Sequence, residues 1–140
     1  MALSDNLEKK VLDHTFGVTA LTAPSSFEIA VATSAFAEDG TANSNEKTTN
    51  TGSGNYERQS ISFSAASTNS SNKGEISNSA QITFPEAPSN LGDISHWAIY
   101  ATVAGTANTL VACGSFTTAR TVNSGDQLAI AAGALKITAD

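Results

Sequence analysis

At 140 residues, with 40% apolar and only 6% aromatic side chains, the chain is long enough to build one core without disulfides, and much of its apolar share is alanine, so that core is light. Seven Lys and Arg against thirteen Asp and Glu give a net charge of −6. The cations are scattered, which excludes the basic stripe of a nucleic-acid binder and the polybasic patch of a protein lying on anionic lipid.

The single cysteine, Cys113, excludes an internal disulfide and a thiolate metal cluster, and its apolar setting Leu110-Val111-Ala112-Cys113 reads as core packing. No apolar run approaches the ~20 residues of a membrane span, and Met1-Ala2-Leu3-Ser4-Asp5 lacks the basic start and apolar stretch of a secretion signal. The expectation is synthesis in a cytoplasm, where the chain stays unless a particle carries it out.

In chain order, Leu3, Leu7, Val11 and Leu12 recur at helical spacing up to Phe16. Ser4 or Asp5 is placed to cap the start and Gly17 to end the helix, which predicts one amphipathic helix with a one-sided apolar stripe. Residues 1–17 therefore read as an attachment or oligomerisation element, with Leu3, Leu7, Val11, Leu12 and His14 as its candidate interface.

Residues 18–140 read as a β-domain. Period two begins where Phe27, Ile29 and Val31 alternate with Glu28, Ala30 and Ala32, and it recurs in 61–65, 76–84, 97–100 and 128–130. The segments 110–116 and 135–138 add two more strands. Seven or eight antiparallel strands separated by Gly, Asn, Ser and Thr clusters predict a β-sandwich or jelly roll. Its expected core is Phe27, Ile29, Val31, Ile61, Phe63, Ile82, Phe84, Trp97, Ile99, Leu128 and Ile130. The polar stretch from Glu38 to Asn55 and the segment from Ser67 to Gly74 read as exposed loops, and Asn123-Ser124-Gly125-Asp126 as a tight turn.

Chemistry finds little to work with. His14 falls at a helix end, where a cation suits the dipole, and His96 sits beside Trp97 without a recognisable nucleophile and acid. Ser70-Ser71-Asn72-Lys73 has the spacing of a Ser-x-x-Lys hydrolase but lies in a polar loop, without the helix that would activate the serine. Glu38, Asp39, Glu57, Glu75 and Glu86 read as solvated charges and not as a glycosidase pair. Asp39-Gly40-Thr41-Ala42-Asn43-Ser44-Asn45 spaces oxygens as calcium loops do, but lacks the distal bidentate Glu. Thr51-Gly52-Ser53-Gly54 follows no strand and carries no Lys-Ser or Lys-Thr, so it reads as flexible text and not as a phosphate cradle. No catalytic residue, metal or cofactor is expected.

Four stretches carry a resemblance by their order and spacing: Leu12-Asp13-His14, Tyr56-Glu57-Arg58-Gln59, Asn78-Ser79-Ala80-Gln81-Ile82-Thr83-Phe84-Pro85, and Thr121-Val122-Asn123-Ser124-Gly125-Asp126. Over nearly the whole chain it resembles a family of small bacteriophage virion proteins usually labelled tail fibre proteins. The resemblance implies a non-enzymatic structural component of the virion.

Because the chain has no internal repeat of the kind a long shaft needs, the first expectation is a capsid decoration or cement protein. It would be a trimer that binds the major capsid protein and stabilises the shell through many equivalent contacts. The second is a tail fibre or other tail-associated component, attached by the helix to a tail protein. The third, from a different class, is a carbohydrate-binding jelly roll using Trp97 and Tyr100. Copies of itself and one other virion protein are the expected partners, with no nucleic acid and no membrane.

Overall fold

The alternation of Phe27, Ile29 and Val31 produces the strand it predicts. In the computed structural model, which describes residues 2–48 and 57–139, β2 (Ser26–Ala32) pairs antiparallel with β7 (Gly92–Val103), from Ser26 opposite Thr102 to Ala32 opposite His96. The remaining strands are β1 (Ala2–Leu3), β3 (Gln59–Ser60), β4 (Ser67–Thr68), β5 (Gly74–Ser77), β6 (Ile82–Glu86), β8 (Thr106–Val122), β9 (Gln127–Ile130) and β10 (Lys136–Ala139). Among the described residues a single helix, α1 (Asp5–Thr15), follows β1.

The protein is mainly β, with every pairing antiparallel, as the period-two segments require. The strands form three sheets: β1-β8-β7-β2-β3, β10-β5-β4 and β6-β9. Two expected strands are shorter than their sequence pattern. The segment 61–65 contributes only β3 before it and a single bridge between Phe63 and Asn78. The segment 76–84 is split into β5 and β6, because Asn78 turns its side chain inward between them.

One face of the five-stranded sheet packs on the smaller sheets, which makes the expected sandwich. Ile29, Val31, Trp97, Ile99 and Ala112 meet Ile82 and Phe84 of β6 and Leu128 and Ile130 of β9. Nine of the eleven expected core residues are buried, and Phe27 and Phe63 are half-buried against the same cluster, their rings edge to face at 5.4 Å.

Asn78 joins this core to the far end of the chain. Its amide nitrogen donates to the carbonyls of Ala80 (2.8 Å) and Ala131 (2.9 Å), and its Oδ1 accepts from the Leu135 N–H (2.9 Å). A buried amide of this kind is tolerated because every polar atom finds a partner.

The opposite face of the sheet corrects one expectation. The Glu38 to Asn55 stretch is not uniformly exposed, since Glu46 and Thr48 are buried. The physical reason is that this segment pairs with the end of β2: Glu46 bridges to Ala32, the Lys47 N–H donates to Val31 O at 2.9 Å, and the Val31 N–H donates to Thr48 Oγ1 at 3.4 Å. Ala30, Ala32 and Ala98 leave a shallow surface on which Phe36 packs with Tyr100, Leu110 and Cys113.

The chain that carries Phe36 stays down through a polar clamp. Arg58 Nε and Nη2 donate to the two oxygens of Glu46 at 2.8 and 3.0 Å, the Thr48 hydroxyl donates to the same carboxylate at 2.8 Å, and the guanidinium lies 3.7 Å from the Tyr100 ring centre. Burial works to lower the Arg58 pKa, but the hydrogen bond and charge of Glu46 outweigh it and hold it above its ordinary value. Burial likewise pushes the Tyr100 hydroxyl up. The Thr51-Gly52-Ser53-Gly54 stretch and Tyr56 lie outside the described residues.

Candidate assembly surface

Ser4 is the joint from which the helix leaves the sheet. It is almost completely buried. Its N–H donates to Val111 O at 2.9 Å, its hydroxyl donates to Leu110 O at 2.6 Å, and its Oγ accepts from the Leu7 N–H at 3.3 Å as the helix N-cap. Asp5 and Glu8 in the first turn complement the positive end of the helix dipole, and His14 stands in the last turn.

The helix ends as its sequence predicts, with Gly17 at φ +75°. The Gly17 N–H donates to His14 O (3.3 Å) and the Val18 N–H to Asp13 O (2.8 Å), the paired bonds of a Schellman stop. The chain returns through 19–24 to the sheet, where the Ser25 N–H donates to Thr102 O at 2.9 Å. Residues 5–24 thus form an arm held at Ser4 and at Ser25.

No residue of α1 is fully buried, and Leu7 is the apolar side chain of the helix that reaches the cleft beside the sheet. Leu3 lies in β1, not in the helix, and is half-buried against the core; Leu7 is half-buried; Val11 and Leu12 are 40% and 57% exposed. His14 is exposed, and its Nδ1 accepts from the Leu21 N–H at 3.2 Å, closing the return loop on the helix. The sequence reading missed Phe16 (76% exposed), Val18 (72%) and Leu21 (37%), which are the other large exposed apolar side chains among the described residues. Phe16 is the C-cap residue just before the Gly17 stop, and Val18 and Leu21 follow it in an Ala- and Thr-rich run that has no period, so no pattern marked them.

Below the arm, an apolar cleft of about 330 Å³ opens between the first turn of α1, the five-stranded sheet and the β10-β5-β4 sheet. Leu3, Leu7, Phe27, Phe63, Val111 and Ile137 line it. A second cleft, more polar, lies between α1, the return loop and the β7–β8 hairpin, with Asn6, Lys10 and Asp13 on one wall and Thr106 and Thr109 on the other.

The residues considered for chemistry are dispersed. Ser95 Oγ lies 2.8 Å from His96 Nδ1, but it also donates to Thr33 O at 3.2 Å, and the pair are neighbours on one strand. Ser70 and Lys73 sit in the β4–β5 turn, closed by Asn69 Oδ1 accepting from the N–H groups of Ser71 and Lys73. In the calcium-like loop, Asp39 Oδ1 accepts from the Thr41 N–H and Asn43 Oδ1 from the Asn45 N–H, so the oxygens serve the loop's own backbone. No group of three potential metal ligands exists among the described residues. Trp97 is in the core and Tyr100 lies under Arg58, so neither offers the exposed platform that the carbohydrate reading requires.

What remains is a light antiparallel β-protein whose large exposed apolar side chains, among the described residues, are concentrated on one arm. Residues 2–138 match the family profile described as Podophage GP4 fiber I protein gp80, and the chain belongs to that family. A search of curated proteins finds no match. The family is one of small phage virion structural proteins, as the resemblance implied.

Proposed function

We propose that the protein is a non-enzymatic structural component of a phage tail fibre, located in the virion and held there by protein contacts through its N-terminal arm. The observation that carries this reading is the arm itself, on which Val11, Leu12, Phe16, Val18 and Leu21 face solvent in a chain whose family is described by a fibre protein. Isolated, an 11-residue helix is marginal in water, so an arm that buries none of its own residues is completed by a partner. The family description supports the fibre over the capsid shell, the other position the sequence suggested; the shell reading rests on size and on the lack of repeats alone. Labelling assembled virions with an antibody to this chain tests the choice. A few labels confined to the tail are expected, and dense labelling over the head overturns the fibre assignment.

A further inference from the structure

The second face of the five-stranded sheet is covered by a segment with no helix or strand of its own. Residues 33–48 leave the end of β2 and return to it, where Glu46 bridges to Ala32, so the two ends lie side by side. Within the segment the Asn43 amide nitrogen donates to Ser34 O and Ala35 O, both at 3.0 Å. Its Oδ1 accepts from the Ser34 hydroxyl at 3.1 Å and from the Asn45 N–H at 2.9 Å. A surface loop with closed ends and its own internal bonds is an Ω-loop, a unit that can lift without unravelling.

Few contacts hold this unit to the sheet. Within it only Phe36, Glu46 and Thr48 are buried. Phe36 packs with Tyr100, Leu110 and Cys113, and its carbonyl accepts from the Cys113 thiol with sulfur and oxygen 3.8 Å apart. Glu38 O accepts from the Asp5 N–H at 3.2 Å, and Thr33 O from the Ser95 hydroxyl at 3.2 Å. At the returning end the Arg58 guanidinium grips Glu46 and also donates to Asn108 Oδ1 at 2.7 Å, so one side chain ties the loop to the β7–β8 hairpin. A segment with so few buried apolar contacts opens at a lower free energy than the whole fold.

We propose that residues 33–48 are a lid that opens locally while the sandwich stays folded, with Arg58 on Glu46 as its latch, and that opening brings the buried Cys113 thiol to solvent. Removing the latch leaves Glu46 buried without its bidentate partner, which favours the open form, where water solvates the carboxylate. The core on the other face of the sheet keeps its packing, because none of its residues comes from the lid. The lid is independent of where in the virion the protein sits and of what the arm meets.

Labelling of Cys113, the one thiol of the chain, by an aromatic disulfide reagent reads the opening in the full-length folded protein. Where closing outpaces labelling, the rate follows the open population. In urea well below the unfolding transition, the unaltered protein is expected to label slowly and almost independently of urea, since lid opening exposes little surface. Arg58→Ala is expected to label at least about tenfold faster with the same flat dependence, the effect of breaking a buried pair. Asn78→Ala, which weakens the fold from the smaller sheets, should label at the unaltered rate in this range. Hydrogen exchange gives a second reading: in Arg58→Ala the Lys47 N–H, bound to Val31 O, should lose protection in step with the faster labelling, while the amides of β7 keep theirs. Should Arg58→Ala fail to fold, Arg58→Lys, which keeps the charge and loses the two-pronged hold, takes its place with the same direction of change. The proposal is overturned by labelling that climbs with the global unfolding slope from the lowest urea, by an Arg58→Ala rate no faster than that of the unaltered protein or of Asn78→Ala, or by a faster thiol with an unchanged Lys47 N–H.

Discussion

Replacing Asn78 by Ala should be among the most damaging single changes to the fold, although the residue is polar and its neighbours in sequence are unremarkable. The substitution removes three side-chain hydrogen bonds, to Ala80 O, Ala131 O and the Leu135 N–H, at a site with 1% exposure. A buried polar group left without its partner costs about 1–3 kcal/mol. Water entering the vacated polar space recovers part of that. The expected loss is roughly 3 kcal/mol, a large fraction of the stability of an ordinary domain. Urea unfolding with linear extrapolation measures it, and the slope should stay near that of the unaltered protein if the native state remains compact. Ser79→Ala is the control: Ser79 is exposed, its Oγ lies 2.7 Å from that of Ser62 at the surface, and the change should cost under about 0.5 kcal/mol. If Asn78→Ala costs no more than Ser79→Ala, the reasoning that this amide ties the β5–β6 corner to the 131–135 turn is refuted.

Arg58→Ala leaves the Glu46 carboxylate buried beneath the sheet's second face without its bidentate partner, and should destabilise the protein by about 2–4 kcal/mol. The double variant with Glu46→Ala should recover a measurable part of that loss in the same urea assay; a strictly additive double variant would show that the two do not act as a pair. On the acid side, the Lys136 hydrogen bond to Glu75 holds that carboxyl below the usual carboxylate range. A lowered folded-state pKa contributes stability above the unfolded pKa of the group, and that contribution is lost as the pH falls through the folded value. Lys136→Met should therefore raise the Glu75 titration seen by NMR toward its ordinary value, with stability changed little because the pair is at the surface; an unmoved titration would mean that the Lys136 contact does not set it.

The sequence alone settles the features that local chemistry determines. Ser4 and Gly17 bound the helix because a hydroxyl cap and a left-handed stop act within one turn of their own residues. The phase of Ile29, Val31, Ile82, Phe84, Trp97 and Ile99 follows from the two-residue period of a strand, so the core was legible before any strand had a neighbour. The tertiary structure decided the rest, because it depends on residues far apart in the chain. The Glu46–Arg58 clamp forms across a polar loop that composition alone marks as exposed, and Glu46 is buried there because its segment pairs with Val31 and Ala32 at the end of β2. Asn78 looks like turn text until Leu135 and Ala131 arrive to satisfy its amide. The arm shows the same division. Its helical period was readable, but whether its apolar side chains rest on their own sheet or face outward depends on where β1 and β2 tether its ends, and those tethers turn Leu12, Phe16 and Val18 toward solvent.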